Sequence, residues 1–213
     1  MSTRRRPGDQ TVGAPQINEP DHLHAAATAA GWDGLVVVGA RLLGLNVSAV
    51  VEMLPAGWQR ASAAYGAILD RPTLSVWEVL ASTGMESRSD GSDLGDPGRP
   101  VRIQAFVSTR PWRQAIDDLR QLNGVAPGIV VRRVAPDRVA MADADYHGLT
   151  VVAVSNNTSR VVVQGRRDRL ETAGRTVTVR LLEETLFGLA LERGLLTTAA
   201  LRNSALVSGG TPS

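Results

Sequence analysis

The chain has no cysteine and no lysine, and only 4% of its 213 residues are aromatic. Without cysteine there are no disulfides and no thiolate metal sites, which fits a cytoplasmic protein. Without lysine, a phosphate-cradling GxxxxGK[ST] loop cannot exist. All 23 basic side chains are arginine. The accompanying wealth of Ala, Gly and Val points to GC-rich coding as the cause. Selection for bidentate phosphate or carboxylate recognition would also favour arginine, but the arginines are scattered. The pI of about 9.9 follows from the same absences. Little titrates between neutrality and high pH, so a net charge of +2 lifts the pI without marking a nucleic-acid binder. With so few aromatics, the core must rest on Leu, Val and Ala.

Catalytic signatures are missing too. There is no GxGxxG after a strand, no HExxH and no GxSxG. With three histidines and no cysteine, a His-based triad would need His147 and distant partners that no pattern supplies. Residues 1–20 are polar and carry Arg4, Arg5 and Arg6 with no apolar run behind them, so no secretory signal is read. The most hydrophobic window, 34–51, includes Arg41 and Asn46 and reads as core, not as a membrane span. No cofactor and no membrane partner are expected.

What the chain does have is a division. An acidic, glycine-rich break at 86–99 separates an alanine-rich half from an arginine-rich one. Residues 21–98 carry four arginines against nine acids, whereas 99–213 carry sixteen arginines against ten acids. Opposite charges predict that the halves dock, with the second half's arginines pairing with the acidic first half.

In the first half, Asp21 caps a helix over 22–30 that Gly31 ends. Asp33 caps a second helix through Leu43, stopped by Gly44. Asn46 or Ser48 opens a third, and Pro55 stops it while starting a fourth through Trp58, Ala61, Tyr65 and Ile68. Over 73–80 two readings stand: Ser75 with Glu78 makes a capping box for a short helix, the favoured reading, whereas Leu74 and Val76 suit the start of a strand. Beyond the break the period changes to two: Val101, Ile103, Ala105 and Val107 alternate with more polar residues as a half-buried strand. A helix from Pro111 carries the apolar stripe Trp112, Ala115, Ile116, Leu119 and Leu122, and Gly124 stops it. Strands are expected near 129–134, 138–142, 149–155, 160–164 and 176–180, with Asn156-Asn157 as a turn, then a helix over 181–193. Glu183-Glu184 and Asp117-Asp118 lie on helices, where adjacent carboxylates point to different sides and normally face water.

These readings predict an α+β protein: an N-terminal helical subdomain at 21–85, then an antiparallel sheet with two helices on one face at 100–194. Tails are expected at 1–20 and 195–213, with 86–99 as linker.

Three clusters are candidates for function. Arg132, Arg133, Arg138, Arg166, Arg167 and Arg169 would form a basic rim for a protein or a polyanion, although aromatics for base stacking are scarce. The stretch 39–54 resembles a helix-turn-helix unit, with Gly44 at the turn and Leu43, Leu45, Val50 and Met53 as shared core. Arg41, Asn46 and Ser48 would be its DNA contacts, in surroundings whose negative charge repels phosphate. Asp143, Asp145 and His147 alternate, and on an extended segment all three would face one divalent metal.

The favoured function is a non-catalytic, protein-binding adaptor, assembly factor or secretion-type chaperone. The partner is another protein or a second copy of the chain. Missing catalytic signatures, divided charge and the apolar surplus at 34–54 motivate it. The alternatives are a helix-turn-helix transcriptional regulator, with nucleic acid as partner, and an Asp/His metal-dependent hydrolase.

Overall fold

The computed structural model describes residues 20–65, 73–75, 79, 98–155, 158–167 and 176–196. The elements run α1 (Pro20–Ala29), β1 (Leu35–Leu42), β2 (Leu45–Met53), α2 (Pro55–Tyr65), β3 (Val101–Ser108), α3 (Trp112–Leu122), β4 (Gly128–Arg132), α4 (Arg138–Tyr146), β5 (Thr150–Ser155), β6 (Thr158–Val163) and α5 (Val177–Glu192). The α+β class stands. The six strands form one sheet in the order β1-β2-β3-β4-β5-β6.

The first correction falls on 34–54, which is a hairpin and not a pair of helices. Leu42 pairs with Leu45, leaving Leu43 (φ 50°) and Gly44 (φ 84°) as a two-residue turn with both residues left-handed. Turns of this kind match the twist of the strands they join, and they demand positive φ at both central positions. A glycine that ends a helix meets the same demand, so Gly44 by itself fits either structure. The runs Val36-Val37-Val38 and Val50-Val51 decide for strand, because β-branched side chains pack well on a pleated surface. A left-handed backbone costs an ordinary L-residue about 1–2 kcal/mol, and Leu43 is 63% exposed, so its side chain contributes little packing. Leu43→Asn is therefore expected to stabilise the protein by roughly 1 kcal/mol. A thermal midpoint that stays put or falls would count against this turn.

The second correction concerns parallel pairing. Residues 138–146 are helical, not a strand: the Asp137 carboxylate accepts from the Ala140 N–H at 2.8 Å and caps α4. With α3 and α4 each standing between two strands, β3-α3-β4 and β4-α4-β5 become crossover units, which place their strands parallel. β3, β4 and β5 are indeed parallel, while β1-β2, β2-β3 and β5-β6 pair antiparallel. The sheet is mixed, not antiparallel. Likewise 176–180 begins α5, with the Thr176 hydroxyl accepting from Val179 N–H at 3.2 Å.

Helices cover both faces of the sheet, not one. On one side α1 buries Leu23, Ala26 and Ala27, with Ala30 just beyond its end, against Val36, Val50, Ala105, Ile129 and Val152. On the other, Ala61 of α2, the α3 stripe, Ala144 of α4 and Leu182, Leu186 and Phe187 of α5 share a second core. The apolar surplus of 34–54 is thereby absorbed into the two faces of the sheet. Pairing of β2 with β3 joins the acidic and the arginine-rich halves in one hydrogen-bonded array. Of the break itself only Gly98 and Arg99 are among the described residues; 1–19, 86–97, 197–213, Ile68, Val76, Glu78 and the expected turn at Asn156-Asn157 lie outside them. Two expected tail positions are structured instead: Pro20 starts α1, and Leu196 is buried in the core because Leu195 N–H closes on the Ala190 carbonyl at 3.0 Å.

Charge links the halves in both senses, the expected one and its reverse. Glu52 meets Arg102 at 3.2 Å as anticipated, on the surface. The buried pair across the division instead takes its carboxylate from the second half. Arg60 of α2 donates through both terminal nitrogens to Glu184 of α5, at 2.8 and 2.6 Å, and lies 5.1 Å from the Phe187 ring. Glu184 also accepts from Leu74 N–H at 3.1 Å and lies 3.4 Å from the Arg180 guanidinium. Within the arginine-rich half, Arg99 grips Glu183 through Nε at 2.7 Å and a terminal nitrogen, and Arg180 reaches back to the Gly98 carbonyl at 2.6 Å. Glu183 and Glu184, expected to face water, are 0% and 3% exposed. They do point to different sides of α5, but both sides are covered.

Candidate protein-docking face

On leaving β4 the chain runs through Arg132, Arg133 and Val134 to Asp137, whose cap starts α4. Helix α4 packs over β5 and β6, the outermost strands at one edge of the sheet. Its inward residue is Ala144, which is buried. On its flank toward α3, Asp143 accepts from Trp112 Nε1 at 3.3 Å and lies 3.5 Å from His147 Nε2. Lying over the sheet's edge leaves the opposite face of α4 open.

That open face is apolar at helical spacing. Val139, Ala142 and Tyr146 follow one another at i, i+3 and i+7 and are all exposed. Val139 is 80% and Tyr146 81% exposed, and Val134 just before the helix is 78% exposed. In contrast, α3 and α5 turn their apolar stripes into the core. At about 100° per residue, Val139 and Tyr146 lie roughly 40–60° to one side of Ala142. Arg138 and Asp145, both exposed, lie about as far to the other side. The face thus has an apolar flank, a charged flank and a small residue between them. The sequence reading missed it because 138–142 was taken as a strand. Asp137 before the run, with apolar residues at 139, 142 and 146, was the signal.

The six arginines expected to form a rim do not converge. Arg132, Arg133 and Arg138 gather where β4 ends and α4 begins, and Arg132 donates to the Arg110 carbonyl at 3.2 Å. Arg166 and Arg167 follow β6, which runs antiparallel to β4, and so lie at the opposite end of the sheet. Arg166 packs on Gly148, just past α4. Arg167 donates to the Ala30 carbonyl at 3.2 Å, at the carbonyl end of α1 where a cation is favoured. Arg169 is outside the described residues.

Of Asp143, Asp145 and His147 the structure brings together only Asp143 and His147, 3.5 Å apart one helical turn from each other. On a helix, residues two apart diverge by about 200°, so Asp145 points to solvent while Asp143 faces Trp112. Among the described residues no group of three or more His, Cys, Asp or Glu could hold a metal ion.

The proposed DNA contacts fall on the hairpin, where no helix exists to enter a groove. Arg41 pairs in register with Asn46, and the buried Ser48 hydroxyl accepts from Gly39 N–H at 3.1 Å. Asn46 and Ser48 line a cavity of about 190 Å³ with Ser108, Thr109 and Arg110. Arg110 is already paired with the buried Asp118 at 2.5 Å.

Comparison with known proteins supplies no relative: no family model, curated protein or solved structure matches the chain. Among the described residues, no helix is long and apolar enough to cross a membrane.

Proposed function

We propose that this protein is a non-catalytic, protein-binding module of the adaptor, assembly-factor or chaperone type, and that α4 is its docking face. The observation that carries this reading is the outward apolar stripe Val139, Ala142 and Tyr146, extended by Val134. Removing apolar surface from water is worth about 25 cal/mol per Å², and exposed apolar patches bordered by charge mark interaction sites. Arg133 and Arg138 at one end favour a partner surface that offers carboxylates. Tyr146 is the natural anchor, since tyrosine and arginine dominate interface energetics.

The test is affinity purification of the tagged chain from its host, with nuclease-treated and untreated arms, beside the variant Val139→Ser/Tyr146→Ser. The native chain should retain a stoichiometric protein in both arms, either a different polypeptide or an untagged copy of itself. The double variant should lose it while keeping its circular-dichroism spectrum and thermal midpoint. Recovery of nucleic acid alone, or a partner that the double variant retains, would overturn the reading.

A further inference from the structure

We infer that the partner seated on α4 is a second copy of this chain, with two α4 helices packed antiparallel about a two-fold axis beside Ala142. The inference rests on reading α4 as a docking face, and it comes from how the exposed residues are distributed around Ala142. Counting from that residue, Arg138 and Val139 stand four and three positions before it, and Asp145 and Tyr146 three and four after it. Val139 and Tyr146 occupy one flank, Arg138 and Asp145 the other.

A two-fold axis lying in the contact plane, perpendicular to the helix, reverses direction along the helix and keeps each flank on its own side. Val139 of one copy then meets Tyr146 of the other, and the same contact repeats by symmetry. On the other flank Arg138 meets Asp145, again twice. The two Ala142 residues face each other at the centre, where small side chains let the helices approach closely. Contacts of this kind are isologous: one patch complements itself.

The parallel alternative fails on the same residues. An axis along the helix exchanges the flanks and sets Val139 and Tyr146 against Arg138 and Asp145. Apolar area would then be buried on charges that have no partner. Among the described residues neither Arg138 nor Asp145 forms a side-chain ion pair within the chain, which leaves both for contacts across the axis. The patch is short, and a small interface gives a dimer whose population depends on protein concentration.

A chain without cysteine makes the geometry directly testable. Ala142→Cys places one thiol per copy beside the axis. Under mild oxidation it should yield a disulfide-linked dimer many times faster than Leu43→Cys, an exposed control on the distant hairpin. Sedimentation equilibrium over a wide concentration range should show a monomer–dimer equilibrium for the native chain. Arg138→Asp and Asp145→Arg should each weaken it by roughly tenfold or more, because symmetry counts each change twice.

The double reversal Arg138→Asp/Asp145→Arg should restore the dimer, since the pairs re-form with signs exchanged. Each reversed charge also suits its end of the α4 dipole, so the helix itself is not weakened. A monomer at every concentration would overturn the inference. So would equal cross-linking at positions 142 and 43, or a double reversal no better than the worse single one. If the chain stays monomeric while Val139→Ser/Tyr146→Ser still releases a different protein, the dimer is wrong and the docking face stands. If no protein is released either, both fail.

Discussion

Glu184→Ala is expected to destabilise the protein by about 3–5 kcal/mol, the cost of leaving a buried partner charge uncompensated. Glu184 is the acceptor on which Arg60, Arg180 and the Leu74 N–H converge. Its removal leaves two guanidinium groups close together in a region nearly closed to water. The charge, more than the shape, carries the effect, so Glu184→Gln should also lose most of the contribution. Domains of this size hold only about 5–15 kcal/mol in total, so the urea midpoint of Glu184→Ala should fall steeply. Arg60→Met/Glu184→Leu should lose less than Glu184→Ala alone, because it removes a charge together with its partner and returns apolar contact to Phe187. Additive losses in that comparison would mean that the pair is not coupled as the structure places it.

Gly57→Ala is expected to cost roughly 2–3 kcal/mol, the scale of overpacking a tight contact. Helix propensity argues the other way, since alanine in a helix is favoured over glycine by about 1 kcal/mol. Close approach decides the sign. A Cβ on Gly57 would fall 1.9 Å from the Pro100 carbonyl oxygen and 2.7 Å from its carbon. That carbonyl accepts from Leu54 N–H at 3.0 Å, so the corner between β2 and α2 is clamped against the start of β3. Backbone cannot swing aside as a side chain can. The clamp must open or α2 must shift. A thermal midpoint at or above that of the native chain would show that α2 does not lie against Pro100.

Much of the local structure was legible in the sequence. Proline starts and glycine stops, together with the 3.6-residue stripe, placed α1, α3 and the start of α2, and most of α5. Alternation placed β3, and valine-rich runs placed β4, β5 and β6. Short segments failed. Residues 138–142 are too few to separate a period of two from a helical turn, and the Asp137 cap decides it only once its partner N–H is known. The exposed apolar face of α4 was hidden by the same error, because Val139, Ala142 and Tyr146 form a stripe only on a helix. The arginine cluster misled for a different reason: neighbours in sequence were taken as neighbours in space, and strand direction separates them.

The sequence by itself determined the α+β class, the apolar core of Val, Leu and Ala, and the helix boundaries at Gly31, Pro55, Pro111, Gly124 and Gly194. All of these depend on residues within a turn or two of each other. Tertiary structure decided that 34–54 is a hairpin, that three strands run parallel, that Glu183 and Glu184 are buried, and that one helix turns its apolar face outward. The physical reason is common to all four. Gly44 satisfies a helix end or a tight turn equally well, and a glutamate is exposed or buried only by what packs beside it. A valine stripe is core or docking surface according to whether another helix covers it. Local chemistry limits those choices, and the distant residues that come to lie alongside make them.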